Sequence, residues 1–116
     1  MSKTQTLIQQ LNEAPATVEF DQVMAVIGAE YQHQPSAFTN GSQQNSAEQN
    51  QGSCKILGFA RINGLTEQQT LHCFGKYYRE DVLQNPEGSD HGNIRAFMQT
   101  GWSGVDLPQD ALVAIN

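Results

Sequence analysis

The chain is poor in charge, and poorest in positive charge. Only 16% of its 116 residues are Asp, Glu, Lys or Arg, with six basic against twelve acidic side chains and a formal net charge of −6. No run of Lys or Arg makes a basic stripe, so the overall field opposes both a nucleic-acid backbone and an anionic lipid surface. Nucleic acid and membrane are therefore excluded as expected partners. Long apolar runs are missing as well: none approaches a membrane span, and no signal-peptide core follows the start. A soluble, cytoplasmic chain without a Sec-type export signal is the expectation. Two cysteines, Cys54 and Cys73, are too few for a disulfide framework. Two buried free thiols in a reducing compartment are expected, with a single bridge between them left open. Internal repeats and dividing linkers are absent, and the length suits one domain over residues 1–116.

Uncharged polarity takes the place of charge. Gln, Asn, Ser and Thr bring the mean hydropathy to −0.50, yet apolar clusters recur at helical spacing with the aromatics inside them, so the chain folds. Ser2 to Asn12 reads as a first helix with Leu7, Ile8 and Leu11 as a narrow stripe, closed by Pro15. Its Ser/Thr/Gln-rich, acid-free start is compatible with an uncleaved type III export segment over residues 1–16, although composition favours a plain solvated helix. Thr17 is placed to cap a second helix, whose face runs Phe20, Val23, Met24, Ile27 and Tyr31 up to Gln34-Pro35. Gly28 within it suggests a close helix contact.

Asn40-Gly41 signals a turn, and Ser42 to Gly52 then carries no large apolar side chain, which reads as a mobile surface loop, with an ordered binding loop as the alternative. Ser53 is the natural cap of a third helix through Ile62, with a strand as the competing reading of Cys54 to Ile62. Thr66 to Gln69 is a capping box opening a long helix with Leu71, Phe74, Tyr78 and Val82 inward, closed by Asn85-Pro86. Asp90 would cap a fifth helix, His91 to Thr100, with Ile94, Phe97 and Met98 inward, and Gly101 ending it. A short strand pair joining Ser36–Asn40 to Val105–Leu107, and a last helical turn from Gln109, complete the expectation. The fold class expected is mainly α: about five short helices with at most one strand pair, and α+β as the alternative.

Chemistry is sparse in this pattern. Cys54 at a helix start beside Lys55 has two features that lower a thiol pKa, and His91 is the candidate base to go with it. A packed structural cysteine is the commoner outcome. His33, His72, Cys73, Asp90 and His91 lack metal-ligand spacing, so no metal or cofactor is expected. Arg79 and Arg95 read as solvated helix charges or ion pairs to helix ends, and Trp102 between two glycines as a core anchor.

In order along the chain stand Phe38-Thr39-Asn40-Gly41, Asn45, Asn50 and Gly52-Ser53-Cys54-Lys55-Ile56. Thr70-Leu71, Cys73-Phe74-Gly75, Tyr78-Arg79 and Pro86 follow, then Asp90-His91, Asn93-Ile94-Arg95, Phe97-Met98 and Gly101-Trp102. With these residues the chain resembles the HopJ family of type III effector proteins from about Phe20 to Leu112. One departure is Glu48, which stands where the family pattern has glycine in the polar loop. The resemblance implies delivery into a host cell by a type III apparatus and a possible host-protein target, and it carries over no enzymatic activity or cofactor. A monomeric, non-catalytic binding protein is therefore favoured. The alternative is a cytosolic housekeeping protein, either a small-molecule binder or a thiol enzyme using Cys54. The candidate binding surface comprises Asn40, Asn50, Cys54, Lys55, His91, Asn93, Arg95 and Trp102.

Overall fold

The computed structural model describes residues 2–115. Helix α1 (Lys3–Glu13) opens with Ser2 and Gln5 capping each other reciprocally, and it buries Leu7 and Leu11. A second latch holds its first turn. Glu30, far along the chain, accepts hydrogen bonds from the amides of Lys3 (3.0 Å) and Thr4 (2.8 Å) and from Thr4 Oγ1 (2.6 Å). The segment expected as an export signal or first helix is thus a docked helix.

Helix α2 (Phe20–Glu30) starts from Glu19, whose amide is met by the Gln22 side chain at 3.3 Å. The expected cap, Thr17, instead ends a 3-10 turn (Pro15–Thr17) and donates to the Ala14 carbonyl. The helix also stops sooner than its stripe suggests. Tyr31–His33 is strand β1, although Tyr31 still points into the core. Gly28 has open space where a Cβ would stand, so it marks no close helix contact.

Strand β1 pairs antiparallel with β5 (Leu112–Ala114) at the far end of the chain, Gln32 opposite Val113. The expected closing helical turn is therefore a strand. Strand β2 (Phe38–Asn40) is the centre of a second antiparallel sheet, with β3 (Gln43–Asn45) on one side and β4 (Val105–Asp106) on the other. The β2–β4 pair, Thr39 opposite Asp106, joins the regions expected to pair. The class is helix-rich α+β with two small sheets, not a helical bundle with one strand pair.

Helix α3 (Gln51–Ile62) runs through the middle of the core, with Cys54, Ile56, Leu57, Phe59 and Ala60 fully buried. The strand alternative for this segment is excluded. A Cβ on Gly58 would lie 2.9 Å from Leu112 Cβ, so this glycine is what lets α3 press against β5. Asn63 and Gly64 end the helix, as expected.

The Thr66–Gln69 capping box opens α4, yet α4 spans only Glu67–His72. Gly75 breaks the long helix expected there. Its φ is +61°, and a Cβ would stand 2.6 Å from the Phe20 amide nitrogen. The chain resumes as a π-helix over Tyr77–Val82, then α5 (Gly92–Thr100) and a 3-10 turn (Gly101–Gly104). Ile94 and Phe97 of α5 face inward, whereas Met98 does not: it is 44% exposed. No helix among the described residues is long and apolar enough to cross a membrane.

Candidate functional site

The polar stretch after Asn40 is ordered, not a mobile loop. Gln51 ties it down: its Oε1 accepts from the Ser36 amide (3.1 Å), and its Nε2 donates to the carbonyls of Ser46 (3.1 Å) and Gln49 (2.8 Å). Glu48 has no positive φ, so the turn does not require the glycine of the family pattern.

The asparagines spaced five apart then meet one from α5. Asn93 Nδ2 donates to Asn45 Oδ1 (2.9 Å), and Asn93 Oδ1 accepts from Asn40 and Asn45, each at 3.2 Å. Asn40 also reaches the Asn93 carbonyl (2.8 Å), and Asn50 donates to Asn45 Oδ1 (2.7 Å). Asn40, Asn45 and Asn93 are buried and Asn50 is exposed, so the chain of amides leads from the interior to the surface. Amides suit this role because each both donates and accepts. One atom, Asn40 Oδ1, is buried without a partner.

At the surface end lies a cleft of about 240 Å³, lined by Phe20, Asn50, Ser53, Tyr77, His91 and Asn93 among others. It forms where the starts of α3 and α5 meet. Asn50 caps α3 in a left-handed conformation (φ +53°), and His91 caps α5 likewise (φ +51°). These replace the expected caps, Ser53 and Asp90. Neither supplies a side-chain acceptor to its helix, so the first turns bring the partial positive charge of two helix dipoles to one place.

His91 is held from three sides. Its Nε2 meets Asp81 Oδ2 at 3.0 Å, Asp90 Oδ2 stands 3.8 Å away, and its ring lies 5.3 Å from that of Tyr77. Tyr77 in turn meets Phe20 edge to face at 5.2 Å. The π-helix carries both Tyr77 and Asp81, which explains its place beside the cleft.

The candidate residues divide among several places. Asn50, His91 and Asn93 line the cleft, with Asn40 buried behind Asn93. Cys54 is fully buried, and burial pushes its thiol pKa up against the opposing charges of Arg61 and Lys55. The expected low-pKa thiol is therefore reversed, because desolvation outweighs a neighbouring lysine. Cys73 is fully buried as well, and burial pushes its thiol up to about 12; both thiols are free. Lys55 lies towards His33, whose pKa is lowered by burial and then by that charge. Arg95 belongs to a separate groove, bonded to Asp90 (2.6 Å) and to the Asn85 carbonyl (3.0 Å). Trp102 is elsewhere again: its Nε1 donates to the Leu65 carbonyl (3.3 Å), and its ring meets Phe97 edge to face. Arg79 is half-buried and donates to the carbonyls of Pro15 and Val18.

Phe20, Asn45, Ser53, Tyr77 and Asp81 complete the site without having been singled out for it. For Asn45 the signals available were its place in the family pattern and its five-residue spacing from Asn40 and Asn50. Among the described residues, no three of His, Cys, Asp and Glu gather in a way that could hold a metal ion.

Fold and site define a helix-rich α+β domain with a buried asparagine network opening on a small polar and aromatic cleft. The chain belongs to the HopJ type III effector protein family, whose sequence model matches residues 4–112. It is also similar to a protein of unknown function, VPA0580, known from a crystal structure. That chain is 50% identical, with a TM-score of 0.92 over 95% of this chain and 92% of the other. A search of curated proteins finds no match.

Proposed function

We propose that this protein works by binding and not by bond-making chemistry, as an effector delivered by a type III apparatus to a host protein, with the α3–α5 cleft as its contact site. One observation carries the choice of site. Among the described residues, the only non-glycine positions with positive φ are Asn50 and His91, and both stand on this cleft. A left-handed backbone costs a residue with a Cβ on the order of 1 kcal/mol, and such conformations concentrate where function maintains them.

The chemistry of the cleft supports binding over catalysis. Cys54 offers no accessible thiolate. Ser53 shares the cleft with His91, and no hydrogen bond joins the two, so the nucleophile–base contact is missing. At about 240 Å³ the cleft is smaller than the pockets of roughly 300–1,000 Å³ that enclose whole small molecules. That size favours a protruding group of a protein partner over a cytosolic small-molecule ligand.

Export tests the delivery half of this reading. Tagged protein is compared in supernatants of a strain with a type III apparatus and a strain lacking it, with a known substrate as the positive control. Apparatus-dependent release is expected, and retention in both strains would leave a cytosolic protein. The site half is tested with His91→Gly, which relieves the left-handed strain: capture of the host partner should fall while the protein stays folded. Unchanged capture would remove the cleft from the proposal.

A further inference from the structure

A second depression lies beyond the cleft, between the π-helix and α5. Leu83 and Met98 are 47% and 44% exposed, and both line one groove of about 230 Å³ together with Val82, Pro86 and Arg95. Their exposure is therefore contiguous. Met98 sits at a position that the helical spacing places inward, yet α5 turns it out beside Leu83.

The chain segment that supplies most of this groove's lining is acidic. Between Arg79 and Arg95 the chain carries Glu80, Asp81, Glu87 and Asp90 and no Lys or Arg. Glu80, Glu87 and Asp90 are exposed. The one guanidinium in the groove is already engaged, since Arg95 is bonded to Asp90 and to the carbonyls of Asn85 and Pro86. Asp81 is occupied by His91.

We infer that this groove docks a basic amphipathic helix of a partner protein. Its apolar face would cover Leu83 and Met98, and its Lys or Arg side chains would meet Glu80 and Glu87. An apolar seam with charge of one sign at its edge selects the opposite charge on the partner. A flexible, polarisable methionine at the centre suits a helix whose side chains vary. A second copy of this chain is a poor occupant: it carries the same net charge of −6 and only six basic residues, of which Arg61, Arg79 and Arg95 are bonded to backbone carbonyls. An anionic membrane would be repelled by the same acidic segment.

The inference does not depend on export, and its test uses the purified full-length protein. Three labelled synthetic peptides are titrated by fluorescence anisotropy: an amphipathic Leu/Lys helix, its Leu/Glu counterpart, and a Leu/Lys peptide of scrambled order. The amphipathic Lys peptide should bind, and the other two should bind at least about tenfold more weakly. The double variant Leu83→Ser/Met98→Ser should weaken the Lys peptide about tenfold. Glu87→Lys should weaken it too and flatten its salt dependence. All three substitutions are at exposed positions, and unchanged circular dichroism confirms that the variants fold. Equal binding of scrambled and amphipathic peptides, indifference to the double variant, or absence of binding would each overturn the proposal. So would concentration-dependent dimerisation that the double variant abolishes, because that would make a second copy the occupant.

Discussion

Two polar latches hold this molecule together, and they are built on different chemistry. At one end the Glu30 carboxylate clamps the first turn of α1 through three hydrogen bonds from Lys3 and Thr4. At the other, Asn40, Asn45, Asn50 and Asn93 bind the β2–β3 turn to α5 and to the start of α3 through neutral amides. The clamp is charged, lies near the surface, and depends on pH. The network is neutral and largely buried, and its strength comes from having nowhere else to satisfy its groups. Where a site must keep its shape while a partner's charges arrive, amides are the more constant material.

The largest effect separating the two should come from the hub of the network. Asn93→Ala removes three side-chain hydrogen bonds at once and leaves buried amide groups of Asn40 and Asn45 short of partners. Unfolding in urea should show a loss of about 2–3 kcal/mol, the cost of leaving such groups unpaired. Asn40→Ala should cost less, about 1 kcal/mol, because it also deletes the buried oxygen that has no partner. If the two variants are equally destabilised, the network is not organised around Asn93.

This contrast also shows what could be read from the residues alone. The capping box at Thr66–Gln69 and the stop at Asn63–Gly64 follow from local signals, and the structure has them, together with the expected β2–β4 pair. Pairing of β1 with β5 does not, because Tyr31–His33 and Leu112–Ala114 become strands only through each other across most of the chain length. Gly75 hid its role for a similar reason. Its neighbours suit a helix, and the constraint comes from the Phe20 backbone packed against it. In the site, Asn50, His91 and Asn93 were marked by the family resemblance, and they do line one cleft. Cys54 and Lys55 are adjacent in sequence, yet α3 buries one and turns the other towards His33. The polar run looked mobile because it carries no large apolar side chain. Its order comes from side-chain amides, which composition registers only as polarity.

Thiol accessibility gives a smaller but sharp result. Cys54 and Cys73 should stay unlabelled by a maleimide in the native protein and react only after denaturation, with an intact-mass measurement counting the adducts. Rapid native labelling of Cys54 would support the thiol-enzyme alternative, against which its burial stands.

The smallest effect expected is the pH response of the Glu30 clamp, and it bears most directly on the difference between the latches. Hydrogen bonds from Thr4 lower the Glu30 pKa from its ordinary value of 4.5. A carboxylate depressed in the folded state stabilises fully above its unfolded pKa, and that contribution is lost as pH falls through the folded value. The amides of Asn93 have no such dependence. Asp90 is depressed as well, through its hydrogen bond from Arg95, so total stability below pH 4.5 mixes two sources. Hydrogen exchange of the α1 amides separates them. Protection of Lys3 and Thr4 should fade as pH drops through that window, while the amides at the start of α5 lose protection only to the extent that Asp90 is protonated. Glu30→Gln should weaken α1 protection at neutral pH and remove its pH dependence, and Asp90→Asn should leave the α1 profile unchanged. A Glu30→Gln protein whose α1 protection still tracked pH would place the acid sensitivity of that helix somewhere other than the clamp.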